Sequence, residues 1–123
     1  LVDGGVHHFL RPVLLGTPHR VKLVPGTSGG RPRPSSHSQK SLVVSGPLCT
    51  SLDILHPRAR LPLPLRGDLL AFENAGAYGF TESMPLFLSH EWPAEAGVHR
   101  DRLALLRRPP TVESLLRAQR RQL

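Results

Sequence analysis

Three side chains stand out by type and setting: Cys49, Tyr78 and Arg11. Cys49 is the only cysteine and lies in GPLCTSLD (46–53), a turn just after an apolar run. A thiol at a strand end can face a cleft and act as acid or nucleophile. A lone cysteine equally serves as a small buried apolar group. Tyr78 is the only tyrosine, set between Ala77 and Gly79 with Gly76 before them. Such small neighbours let backbone approach a ligand closely, and a phenol can donate to a phosphate oxygen. A core tyrosine at a bend fits the same wording. Arg11 precedes Pro12 in an otherwise apolar stretch. Its guanidinium could clamp a carboxylate with two parallel bonds, or its stem could simply pack on the surface. Asp53, four residues after Cys49, is expected to hold the turn. His7 and His8 are adjacent; in a strand they would point to opposite faces, a poor joint metal site, and no metal is expected.

The elements that must position these groups are short. RVKLV (20–24) and SLVVSG (41–46) read as strands, and GDLLAFEN (67–74) as another after a Gly-Asp turn. MPLFLSH (84–90) alternates enough for a third-type strand, and VHRDRLALLRR (98–108) for a last strand or strand pair. HPRARLPLPLR (56–66) is interrupted by Pro57, Pro62 and Pro64, so neither a helix nor a central strand is expected there. AGAYG (75–79) reads as a tight bend. PGTSGGRPRPSSHSQK (25–40) is rich in Pro, Gly and Ser and reads as a flexible surface loop. Pro109 and Pro110 stop the last strand. Thr111 is then placed to cap a short helix carrying Val112, Leu115 and Leu116 on one face and Glu113 in its first turn.

Composition narrows the class. The chain has 123 residues, room for one compact domain. Thirteen prolines and eleven glycines favour short strands and turns over long helices. The net charge of +7 raises a nucleic-acid or anionic partner. The arginines are scattered, however, and no aromatics alternate with them to form a stacking platform. A single cysteine excludes an internal disulfide framework and suits a reducing cytoplasm. No apolar run approaches the roughly 20 residues that span a bilayer. The expectation is a mainly β sandwich or barrel over residues 1–108, with a Pro-capped helical tail at 109–123.

GPLCTSLDIL (46–55) followed by LPLPLRGDLLAFENAGAYGFTESM (61–84) resembles the C-terminal domain of the diaminopimelate/ornithine/arginine decarboxylases, which use pyridoxal 5′-phosphate (PLP). That family carries a Gly-Pro-x-Cys turn and then a Gly-Asp strand ending in Gly-Ala-Tyr. DGGVHHFLRPVLLG (3–16) is similar to its earlier Asp-x-Gly…Arg-Pro segment. Together these matches cover most of residues 1–92. The wording is most similar to decarboxylases of secondary metabolism and of exopolysaccharide-associated clusters.

The resemblance implies roles for single residues. Cys49 matches the cysteine that enters the partner subunit's active site and helps deliver a proton after CO2 leaves. Tyr78 matches the tyrosine that contacts the PLP phosphate. Arg11 matches an arginine that binds a substrate carboxylate in the diaminopimelate enzymes. Two departures stand against diaminopimelate as substrate: Thr50 stands where an acidic residue usually follows the cysteine, and Leu15 where a tyrosine follows the arginine by four. The resemblance further implies an absent N-terminal TIM barrel that holds the cofactor's lysine, a homodimer, and an amino-acid or carrier-bound amino-acid substrate. The chain alone is then expected to be inactive, because neither Lys22 nor Lys40 has the family's lysine context. A non-catalytic remnant or a basic binding module is the alternative; neither a nucleic-acid nor a membrane partner is expected.

Overall fold

The computed structural model describes residues 1–24, 38–117 and 119. Most of the loop expected at 25–40 therefore lies outside the described residues. The chain is mainly β, as expected, with six strands among the described residues: β1 (Val21–Val24), β2 (Lys40–Ser45), β3 (Ile54–Leu61), β4 (Leu69–Phe72), β5 (Glu95–His99) and β6 (Arg102–Arg107). They form three antiparallel pairs, β1 with β4, β2 with β3 and β5 with β6. No closed barrel occurs among the described residues. Three short helices accompany them: α1 (Arg11–Leu15), α2 (Tyr78–Thr81) and α3 (Val112–Arg117). Two compact units are separable, Leu1–Met84 and Pro85–Leu123.

In the first unit the apolar runs become strands because alternate residues face one interior. Val21, Val44, Ala59 and Leu61 form one buried cluster, and Val6, Leu48 and Leu55 another. Val2 and Phe72 pack against both clusters and so join them. Burying one such aliphatic side chain contributes about 1.5–3 kcal/mol. On β3 the alternation turns Leu55, Ala59 and Leu61 inward and His56, Arg58 and Arg60 toward the other face.

The β3 segment fits the sequence expectation for 56–66, neither a helix nor a central strand, since it pairs with β2 alone among the described residues; that it forms a strand at all was not expected. It is the longest strand described, despite Pro57. Leu42 pairs with Ala59 and Val44 with His56, so Pro57 and Arg58 together oppose Val43 alone. Pro57 thus sits in a β-bulge, one of the few strand positions where its missing N–H costs no ladder bond. One correction concerns apolar wording read with the wrong period. MPLFLSH contains a 3-10 turn at Phe87–Ser89 in which Leu88 and Ser89 are left-handed (φ 58° and 56°), so it forms no strand.

In the second unit, 98–108 is indeed a strand pair. Its β5–β6 turn places Arg100 and Asp101 at φ 46° and 63°, the backbone of a tight two-residue hairpin. Arg107 reaches back to Glu95 (3.4 Å) and to the Pro93 carbonyl (3.2 Å). The expected cap on α3 is present: the Ser114 N–H donates to Thr111 Oγ1 at 3.2 Å.

Candidate active-site elements

The turn that carries Cys49 is built around Asp53, which is 3% exposed. Its carboxylate accepts from the Val6 N–H (Oδ1, 2.8 Å) and the Leu48 N–H (Oδ2, 2.7 Å). Its own backbone closes the same turn, with Gly46 N–H donating to Asp53 O and Asp53 N–H to Thr50 O, both at 3.1 Å. One buried side chain therefore staples the 46–53 turn to the Gly5–Val6 corner. Two glycines make room for it. A Cβ on Gly5 would lie 2.4 Å from Asp53 Oδ1, and one on Gly46 would lie 2.5 Å from Asp53 Oδ2 and from the Gly5 Cα. The turn role expected for Asp53 is borne out; the part played by Gly5 and Gly46 was not read from the sequence. Their signal is there in retrospect, since GG and GP at 4–5 and 46–47 flank the one buried Asp.

Cys49 sits at the end of this staple and is exposed. The alternative of a buried apolar cysteine is thus removed. A cavity of about 230 Å³ is lined by Pro12, Val13 and Gly16 of the α1 region and by Ser51, Leu52, Ile54 and Leu55; Cys49 does not line it.

Arg11 and Tyr78 meet. Arg11 opens α1, whose chain ends at Gly16 in the left-handed region (φ 62°). Tyr78 opens α2, reached through Gly76, also left-handed (φ 60°). The Arg11 guanidinium carbon lies 4.8 Å from the centre of the Tyr78 ring, within cation–π range. The Arg11 Nη1 donates to both oxygens of Glu82, at 2.9 and 3.2 Å. Ser83 completes the link: its hydroxyl accepts from the Leu10 N–H (3.1 Å) and donates to the Gly79 carbonyl (2.7 Å). Neither Glu82 nor Ser83 was singled out from sequence. The spacing could have found Glu82, because residues four apart share a helix face and Glu82 follows Tyr78 by four. None of the hydrogen bonds, ion pairs or ring contacts of this cluster reaches Cys49.

Tyr78 is 59% exposed, and no described residue hydrogen-bonds its hydroxyl. An exposed phenol can donate to an anionic group such as a phosphate. His7 and His8 do not behave as strand neighbours: their ring centres are 3.8 Å apart in the turn at 6–8, with His7 buried. Among the described residues no group of three His, Cys, Asp or Glu could hold a metal ion.

A separate groove of about 540 Å³ lies between β1 and β3, lined by Arg20, Lys22, His56, Arg58 and Arg60 among others. Arg20 and Lys22 both pair with Glu73. Burial pushes the His56 imidazole below its ordinary value of 6.5. None of Cys49, Tyr78 and Arg11 lines this groove.

This sheet framework, a stapled cysteine turn and a Gly-Ala-Tyr helix start define a class. The chain belongs to the pyridoxal-dependent decarboxylases, matching the model of their C-terminal sheet domain over residues 1–76. Within that class it is similar to a diaminopimelate decarboxylase of Methanothermobacter thermautotrophicus, 33% identical over 96% of this chain and 26% of the relative. It is also similar to an L-glutamyl-(BtrI acyl-carrier protein) decarboxylase of Niallia circulans, 30% identical over 97% of this chain and 28% of the relative. Among solved structures, a diaminopimelate decarboxylase superposes with a TM-score of 0.80 at 29% identity, over 96% of this chain and 29% of that one. The Helicobacter pylori diaminopimelate decarboxylase complexed with L-lysine gives 0.77 at 30% identity, over 96% and 27%. The chain thus spans between a quarter and a third of the length of these proteins. Among the described residues no helix is long and apolar enough to cross a membrane.

Proposed function

We propose that this chain is the domain through which a PLP-dependent amino-acid decarboxylase completes its active site at a homodimer interface. The observation that carries this reading is the meeting of Arg11 and Tyr78, 4.8 Å apart on two short helices that Ser83 and Glu82 tie together. Tyr78 donates its hydroxyl to a phosphate oxygen of the cofactor. When bound, the cofactor supplies the electron-withdrawing ring that makes loss of CO2 feasible. Cys49, on its rigid turn, presents a thiol to the partner subunit's pocket and passes a proton to the carbon that CO2 leaves. Thiols titrate close enough to neutrality to serve in either direction. Residues 1–108 act as the working domain and 109–123 as a tail. The cofactor's lysine comes from a further domain, so residues 1–123 alone turn nothing over. The substrate is an amino acid, free or carrier-bound, and the setting is the cytoplasm.

The test uses the intact protein that contains this chain. Tyr78→Phe should weaken PLP retention about tenfold, the value of one charge-assisted hydrogen bond, in a titration followed by cofactor absorbance. Cys49→Ala should leave retention intact while slowing CO2 release. Unchanged PLP affinity in the first variant removes Tyr78 from the site, and an unchanged rate in the second removes Cys49.

A further inference from the structure

Arg11 is not a vacant carboxylate clamp. Its Nη1 already holds both oxygens of Glu82, and its face already rests on Tyr78. Glu82 is in turn held in place. It closes α2, with its N–H donating to the Tyr78 carbonyl at 3.2 Å. The next residue, Ser83, anchors the start of α1 through the Leu10 N–H. Both charged side chains are only about a quarter exposed, 28% for Arg11 and 29% for Glu82. A carboxylate arriving from solution must therefore compete with one attached to the same framework, which loses little freedom when it binds. It must also leave Glu82 half-buried beside an aromatic ring with its partner taken away, an arrangement that disfavours the exchange.

We propose that Glu82 is a specificity-determining residue: it fills the Arg11 clamp from within the chain, so the site selects an α-amino acid whose far end carries no free carboxylate. An amide, ester, thioester or uncharged end fits, because it asks nothing of Arg11 and leaves the Arg11–Glu82 pair intact. A free distal carboxylate meets a neutralised arginine and the repulsion of Glu82 itself. This rests on the decarboxylase reading and on the substrate contact that the family resemblance implies for Arg11, and it adds which end-group the substrate presents there. The role is one of positioning and selection; Glu82 touches no reacting atom.

The experiment compares two substrates in the intact, PLP-loaded protein: L-glutamate and its γ-methyl ester, which differ only in the distal group. CO2 release gives kcat and KM for each. The unaltered protein should favour the ester by at least tenfold in kcat/KM. In Glu82→Gln, which keeps the side-chain shape and removes the charge, the preference should fall about tenfold, with the change carried by the KM for glutamate, as expected for one charge-assisted bond to Arg11. Arg11→Gln in addition to Glu82→Gln should abolish the gain. Equal or better use of glutamate by the unaltered protein overturns the proposal without need of any variant. So does a Glu82→Gln protein in which both substrates change by the same factor, the mark of a merely structural ion pair. Failure of the reading beneath it looks different: no CO2 from either substrate and no PLP retained.

Discussion

The two compact units are built by different rules. In residues 1–84, Val6, Phe9, Val21, Val44, Leu48, Leu55, Ala59 and Leu61 are buried, together with His7 and Asp53. Among the described residues from 85 onward, none is buried. Val98, Leu103 and Leu106 of the β5–β6 hairpin are 74%, 75% and 64% exposed, and Val112 and Leu116 of α3 are exposed as well. A lone two-stranded hairpin is marginal in water, and clustered exposed apolar side chains mark surfaces that other structure covers. The first unit therefore has an interior of its own, whereas the second, among its described residues, displays large apolar side chains at the surface. The candidate chemistry follows that division: Cys49, Arg11, Tyr78 and Glu82 all lie in the unit with an interior able to hold them still.

The largest effect should come from Asp53. Replacing it by Ala leaves the Val6 and Leu48 N–H groups buried without an acceptor and should cost roughly 3–5 kcal/mol, read by urea denaturation. Cys49 should also become mobile, so its reaction with a neutral alkylating reagent should change in rate. A loss below about 1 kcal/mol would mean that the staple does not organise this unit. Next comes a matched pair across the two units. Leu55→Ala, at a site 3% exposed, should cost roughly 2–5 kcal/mol. Leu103→Ala, 75% exposed, should fall within about 0.5 kcal/mol in the 123-residue chain. The contrast sharpens in the intact protein: a cost at Leu103 that appears only there locates what covers the hairpin, and an equal cost at both sites in the short chain breaks the comparison.

Legibility in the sequence followed the same division. β1, β2 and β4 were readable because each is an apolar run with a single inward face and turn residues at its end. The Asp53 turn was readable because an Asx side chain commonly closes a turn. Pro57 argued rightly against a central strand, but the strand that does form was hidden, because the bulge that receives the proline depends on the partner strand's register. MPLFLSH misled because its alternation is genuine while Leu88 and Ser89 take left-handed backbone, for which neither residue type is a signal. The Arg100–Asp101 turn was hidden for the same reason, lacking the usual glycine. Arg11 and Tyr78 were chosen separately on their neighbours alone. That they meet, and that Glu82 takes the guanidinium, depends on packing between segments some 70 residues apart, which no local pattern carries.

The smallest expected effect tests how far local bonds alone hold the second unit together. In α3 the Thr111 hydroxyl accepts from the Ser114 N–H, and the Leu115 N–H donates to the Thr111 carbonyl at 3.2 Å. The Glu113 carboxyl is held below its ordinary value of 4.5, first by its own backbone N–H and then by the Thr111 hydroxyl. A carboxyl depressed in the folded helix contributes stability that is fully present above 4.5 and is lost as the pH falls through that value toward the folded one. Protection of the Ser114 and Leu115 amides, taken relative to their intrinsic exchange rate at each pH, should therefore fall on acidification across that range. Thr111→Ala should remove about 1 kcal/mol of helix stability at neutral pH, near a fivefold loss of protection, and flatten part of the pH dependence. Because α3 buries none of its described side chains, the cap and the first-turn charge are the main supports it has. If protection at these amides proves insensitive to both the substitution and the pH, tertiary contacts rather than the cap hold this helix, and the contrast between the units narrows at its C-terminal end.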